Sequence, residues 1–348
     1  MREHTNGAAR ASRDRGSDCV RPDPAHDWAV SALDSVLGRV AVTRAEVGER
    51  FPLHADPDTG MWRTTARGSW TGGFWAGLLW LRARHTGASS DREAARACTA
   101  RLAEHAGADT STRGLIFWYG TLFDDDGSRV RSLGARACRN AFDPELGLVP
   151  WGSAFGGPRL SARVDGVPGM VPLLATVDAE AAASPLRRHL DLCLRTRPAS
   201  WYWLHTGATG WTARADPTPG WSRGPAWLLL ALAEGACLPD GGTFAALADA
   251  LTPVSSVPLA DTAHPGGPLD TSAAAITALA LLRLGRRDRA VALLHVLVGR
   301  HLTPDGRLLN GCYDLESRTA VRHELIWGDF FLAYALTELT GRYSGRRP

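Results

Sequence analysis

Again and again this chain places a helix that is apolar on every side next to one with a single apolar face. The first such stretch is Gly72-Gly73-Phe74-Trp75-Ala76-Gly77-Leu78-Leu79-Trp80-Leu81, followed by an Ala- and Arg-rich amphipathic segment over 91–107. A helix with no polar face must be covered all round, whereas an amphipathic one can lie between that helix and water. The same inner–outer order recurs as 115–119 with 129–142, 168–178 with 185–195, 222–236 with 242–252 and 271–284 with 286–301. An opening helix runs from His26 to about Phe51 and a last one spans 328–341. Alternating strands are scarce; Trp201-Tyr202-Trp203-Leu204 and Leu308-Leu309-Asn310 read at most as short edges. Inner helices wrapped by outer ones predict an all-α closed α/α toroid with its site at one mouth, an open helical solenoid being the other arrangement. Residues 1–24 are expected to form a disordered leader and 25–344 one barrel domain, with no linker inside it.

Composition removes several classes of function. A formal charge of +3 over 348 residues leaves no basic surface for nucleic acid. No apolar run is long enough to span a membrane, and the polar, Arg-rich first residues do not read as a secretory signal, so a cytoplasmic location is expected. The six cysteines are far apart and form no C-x-x-C pair, which argues against a zinc or redox centre; no metal or cofactor is expected. Asp124-Asp125-Asp126-Gly127 lacks the alternating spacing and distal Glu of a calcium loop. Every basic residue other than His is Arg, which with the Ala and Gly content suggests a GC-rich bacterial genome.

The loops before the inner helices carry the chemistry. In Arg163-Val164-Asp165-Gly166-Val167-Pro168-Gly169-Met170, a carboxylate sits where a loop becomes a core helix. Asp165 reads either as a helix cap or as a general acid, since apolar surroundings favour the protonated carboxyl. In Trp221-Ser222-Arg223-Gly224-Pro225-Ala226-Trp227, Arg223 and Trp227 are four apart and share a helical face. That pair suits a carboxylated sugar, with a forked donor for the carboxylate and a flat surface for the ring; an Arg stacked on Trp in a structural ion pair is the other reading. Trp70 precedes the first inner helix, and His205 lies among aromatics, as a substrate contact or as an ordinary hydrogen-bonded imidazole. Asp270 reads as a structural N-cap, and Trp327-Gly328-Asp329 as the cap of the last helix.

These motifs, in order over roughly residues 60–340, resemble the unsaturated glucuronyl hydrolases and the related unsaturated rhamnogalacturonyl hydrolases. Trp70–Trp80 looks like the first inner helix of the glucuronyl family, and Trp221–Trp227 is similar to its W-x-R-G-Q-A-W. Asp270-Thr271-Ser272 and Leu325-Ile326-Trp327-Gly328-Asp329 match its late motifs, while Asp165–Pro172 has the spacing of D-x-L-Y-M-x-x-P in the other family. The resemblance implies an (α/α)6 barrel that acts on the unsaturated uronic acid left by a polysaccharide lyase, with a small unsaturated uronide or oligosaccharide as substrate. An Asp protonates C4 of the vinyl ether, water adds at C5, and the hemiketal collapses to release the aglycone; Asp165 falls on that Asp. Trp70, His205, Trp221, Arg223 and Trp227 are then expected to bind substrate. The chain departs from the pattern in three places. The second Asp of H-D-x-G-F aligns with Thr112, while the other family's pattern selects Asp109, which is the second catalytic carboxylate expected from the resemblance. The Gln after Arg-Gly is Pro225, and no H-Q-G segment lies between His205 and Trp221. Two other readings stay open, a specialised-metabolism enzyme working on a small uronate conjugate and a sugar-binding pseudoenzyme.

Overall fold

The structure, a computed structural model, describes residues 26–124, 129–239, 241–250 and 256–342. The expected leader at 1–24 and most of the acidic run at 124–127 lie outside them. The inner helices are α2 (Gly72–Thr86), α4 (Tyr119–Thr121, continuing a π-helical turn over Gly114–Trp118), α6 (Met170–Ala175), α8 (Arg223–Gly235), α10 (Thr271–Arg283) and α12 (Ile326–Thr340). Each packs on the next, and α12 packs back on α2, so the ring closes. This closure excludes the solenoid. Outside it stand α1 (Asp27–Val47), α3 (Ser89–Arg101), α5 (Arg129–Asn140), α7 (Ala179–Cys193), α9 (Gly241–Ala250) and α11 (Arg287–Arg300), each packed on an inner helix next to it in the ring.

The sequence explains why the inner helices sit inside. On α2 every residue from Gly72 to Leu81 is buried, and α12 is buried from Ile326 to Thr337. Burying one large apolar side chain contributes about 1.5–3 kcal/mol. The barrel interior is filled by aromatics from several inner helices. Phe74 lies 5.6 Å from Tyr119 and 5.3 Å from Phe330, ring centre to ring centre. Trp227 of α8 reaches Phe331 of α12 at 5.5 Å; these helices are separated by α10 in the ring, so the contact crosses the interior. One backbone crossing fixes glycine: a Cβ on Gly169, whose φ is +73°, would stand 2.6 Å from the Gly114 carbonyl oxygen.

Several boundaries differ from the sequence expectation. The opening helix stops at Val47, because Phe51–Ala55 becomes strand β1, paired with β2 (Trp62–Thr65) and β6 (Glu324–Leu325). The third outer helix starts at Ala179 rather than 185, capped by Asp178, whose side chain accepts from the Ala181 N–H at 2.9 Å; Pro185 is inside it. Tyr202–Thr206 is the central strand β4 of a second antiparallel sheet, between β3 (Ser161–Arg163) and β5 (Gly210–Ala213), not an edge. Asp329 does not cap the last helix. Helix α12 begins at Ile326, and the Asp329 carboxylate is buried inside its first turn, accepting from the Leu308 N–H at 3.3 Å. Among the described residues no helix is long and apolar enough to cross a membrane.

Candidate active site

The starts of the inner helices gather at one mouth, and specific contacts tie them together. Trp70, ahead of α2, lies 5.1 Å from Trp327 at the start of α12. The guanidinium of Arg223, first residue of α8, pairs with Asp270, the cap of α10, and lies 5.8 Å from the centre of the Trp327 ring. Ahead of α6, the Val164 N–H donates to the Trp201 carbonyl at 3.1 Å, and the Trp201 ring packs flat against Gly224 of α8. A Cβ at Gly224 would fall 2.4 Å from that ring, so only glycine lets the indole lie there. Asp165, in the turn ahead of α6, and Arg223, at the start of α8, therefore precede or open neighbouring inner helices at the same mouth.

Asp165 does not cap α6, whose first turn is entered through the left-handed Gly169. It occupies a single 3-10 turn, Val164–Gly166, directly after β3. Its carboxylate is half-buried and accepts from Arg163 Nε and Nη2 at 3.3 and 3.4 Å. The apolar setting expected from the sequence is thus interrupted by a cation. Arg163 is itself clamped: its guanidinium lies 4.8 Å from the Trp151 ring centre and 5.2 Å from that of Tyr202. Burial works against its charge, but Asp165 and then Asp216 outweigh burial and raise its pKa. Behind Asp165, His189 of α7 is fully buried, which depresses its pKa to about 4.

Arg223 is buried, and both of its Nη atoms are engaged within the protein. Nη1 bonds the Asp270 carboxylate and the Cys312 carbonyl, and Nη2 donates to the Tyr313 carbonyl at 2.6 Å. Trp221 covers the guanidinium at 5.2 Å. Asp270 has no exposed surface; besides Arg223 it accepts from Ser272 N–H and Oγ at 3.0 and 2.6 Å. It is an N-cap, as expected, and also the anchor of Arg223. Through the two carbonyls Arg223 holds the 312–313 segment over the mouth, where Tyr313 stacks on Trp70 at 6.4 Å.

The remaining sequence candidates scatter. Trp70 and Trp221 are partly exposed walls of the mouth, whereas Trp227 is buried deeper, in the aromatic floor. His205 stands three residues along β4 from Tyr202, about 10 Å further out at strand rise, and lies 5.0 Å from the Trp211 ring. Asp109 lies on the lip, where its carboxylate accepts from Ser153 N–H, Ser153 Oγ and Arg159 Nε at 3.0–3.2 Å. Thr112 is buried and hydrogen bonded to Thr110 Oγ1 at 2.9 Å, so no carboxylate occupies its position. Pro225 sits in the first turn of α8, where a missing N–H is tolerated. The sequence reading missed Arg163, Trp151, Tyr202 and Tyr313 as site residues, along with His54, 6.0 Å from Tyr313. Burial, then His323 and Arg63, depress the His54 pKa to about 4. For Arg163 the signal was present, two residues before Asp165; the others depend on loop packing. No cluster of His, Cys, Asp and Glu fit to hold a metal ion occurs among the described residues.

No family model matches the chain, and no curated protein matches it in sequence. Solved structures do. The unsaturated glucuronyl hydrolase of Bacillus sp. GL1 superposes with a TM-score of 0.77 at 21% identity, covering 92% of this chain and 99% of that one. The chain has the fold of the unsaturated glucuronyl hydrolases. A heparin-specific unsaturated glucuronyl hydrolase reaches a TM-score of 0.80 at 19% identity, over 91% of this chain and 98% of that one. An Asp-to-Asn variant of the Streptococcus agalactiae unsaturated glucuronyl hydrolase, complexed with dGlcA-GalNAc6S, gives 0.71 at 17% identity, over 90% and 91%. At these identities the likeness to the glucuronyl hydrolases is one of fold, which agrees with the (α/α)6 barrel that the motifs implied.

Proposed function

We propose that this protein hydrates the C4=C5 vinyl ether of an unsaturated uronic acid conjugate and so releases its aglycone. The observation that carries the reading is Asp165, a carboxyl at the start of an inner helix, at the one mouth where aromatic walls and Arg163 also converge. Support comes from the shared fold, since the solved glucuronyl hydrolases include one complexed with an unsaturated disaccharide. In the proposed reaction, protonated Asp165 gives its proton to C4. Positive charge develops across C5 and the ring oxygen, water adds to C5, and the water's proton returns to the Asp165 carboxylate. The hemiketal at C5 then opens to a ketone with cleavage of the C5–O5 bond. C1 is left as a hemiacetal, which expels the aglycone as an alcohol and becomes an aldehyde. Water is the co-reactant of these steps, and Asp165 gives and recovers the proton.

Trp70, Trp221 and Tyr313 are proposed to flank the sugar, because flat indole and phenol faces suit pyranose rings. Arg223 enters the proposal as the residue that shapes this wall, with Trp227 in the floor beneath and His205 at the outer end of β4. Asp109 is proposed to brace the lip. A cytoplasmic setting belongs to the same proposal and is supported by the five described cysteines, all of them free thiols. The test is incubation with an unsaturated uronyl disaccharide. Loss of the ultraviolet absorbance of the conjugated double bond, with gain of one water, supports hydration. Unchanged absorbance with tight binding supports a sugar-binding protein instead.

A further inference from the structure

If the reading above holds, the substrate carries a carboxylate on C5, and some cation must receive it. We infer that Arg163, not Arg223, is the carboxylate receptor, and that the substrate takes Arg163 over from Asp165 as it binds. This inference rests on the proposed function and names the residue that selects an acidic sugar.

Three observations carry it. First, Arg223 is buried, with Nη1 and Nη2 held by Asp270 and by the carbonyls of Cys312 and Tyr313. A substrate carboxylate reaching them would have to displace a fully buried carboxylate and two carbonyls. Second, the Arg163 guanidinium is partly exposed at the mouth, and it meets Asp165 only at 3.3 and 3.4 Å. Charge-assisted N–H···O bonds are ordinarily about 2.7–2.9 Å, so this pair is loose. Among the described residues, no group hydrogen bonds its Nη1. Third, the group is pre-oriented. Trp151 and Tyr202 hold the guanidinium between their rings, which limits the side-chain entropy lost on binding.

The exchange has a chemical consequence. The other titratable groups facing Asp165 are His189 and Cys193 of α7. Burial keeps His189 neutral down to about 4 and pushes the Cys193 thiol up to about 12, so neither carries charge at neutral pH. Asp216 also acts on Arg163 through its charge. When the uronate carboxylate engages Arg163, Asp165 gains a neighbouring anion and loses its share of a cation. Both changes favour the protonated carboxyl that the first step requires. An acidic sugar would thus arm the acid, and a neutral sugar would not.

The experiment compares an unsaturated uronide with its C5 methyl ester, using the full chain and its Arg163→Met, Arg163→Lys and Arg223→Lys variants. The wild type should prefer the acid over the ester by about ten- to hundredfold in kcat/KM, the range of one charge-assisted bond. Arg163→Met should consume both compounds at similar rates, and Arg163→Lys should keep part of the preference. Arg223→Lys should keep the wild-type ratio even if its absolute activity falls. The alkaline limb of kcat should lie at higher pH than that of kcat/KM in the wild type, and the gap should narrow in Arg163→Met. A preference that survives in both Arg163 variants and vanishes in Arg223→Lys would overturn the inference while leaving the proposed hydration intact. A wild type that consumes neither compound would overturn the hydration reading and this inference together.

Discussion

Replacing Arg223 with Met should damage the fold before it damages recognition. The substitution leaves the Asp270 carboxylate with no exposed surface and no counter-charge. Removing one partner of a buried ion pair costs about 3–5 kcal/mol, because the remaining charge is uncompensated. Asp270 keeps its bonds from Ser272 N–H, Ser272 Oγ and Cys312 N–H, which places the charge term near the lower end of that range. The carbonyls of Cys312 and Tyr313 each lose a donor, at about 1 kcal/mol apiece. The sum is about 5 kcal/mol, read as a lowered guanidinium midpoint followed by tryptophan fluorescence. A double variant, Arg223→Met with Asp270→Leu, removes both charges and should recover part of the loss, since no buried ion is then unpaired. Loss of less than about 1 kcal/mol in Arg223→Met, the worth of an exposed pair, together with a KM raised more than about tenfold, would refute this reasoning. It would show that Arg223 is a substrate ligand after all.

Two further outcomes follow from the same geometry. Asp109→Asn should lower kcat by less than about tenfold, below the ordinary range for a general acid or base, because the carboxylate braces Ser153 and Arg159 on the lip; steady-state kinetics on the unsaturated uronide check this. Asp329 is buried, and burial first, then the nearby Glu324 carboxylate, raises its pKa well above the ordinary value. Its folded-state pKa therefore exceeds its unfolded one. The stability it lends is complete below the unfolded value of 3.8 and is lost as pH rises towards the folded value. Asp329→Asn should flatten the fall in stability across that interval, measured by urea unfolding at a series of pH values; a slope identical to wild type would contradict the assignment.

Much of the ring was legible because its inner helices leave no polar face. Phe74 to Leu81 and Phe330 to Leu336 can only be buried, and burial of that kind needs a second layer outside. The sheets at the mouth were not legible. Strands β1 and β6 meet across some 270 residues of chain, so their pairing leaves no local periodicity, and β6 is two residues long. Asp165 stood out because it is a lone carboxylate before an apolar helix. The partner that matters to it, Arg163, was in the same stretch, but its clamp by Trp151 and Tyr202 depends on β3 lying against β4. Arg223 and Trp227 do share a face of α8. The pattern could not say that Asp270 and the 312–313 segment already occupy the guanidinium, because those contacts arise from ring closure.

The central claim is that Asp165 delivers a proton to carbon, and Asp165→Asn tests it most directly. The amide matches the carboxylate in shape and can still meet Arg163 through its carbonyl oxygen, so the fold should remain. A positioned general acid contributes about 10²–10⁴-fold, and protonation of a weakly basic carbon belongs at the upper end. The account predicts a folded Asp165→Asn protein that binds the unsaturated uronide, measured calorimetrically, while its ultraviolet absorbance stays constant over times in which the wild type consumes it. A folded Asp165→Asn variant that clears the absorbance at near wild-type rate would contradict the account.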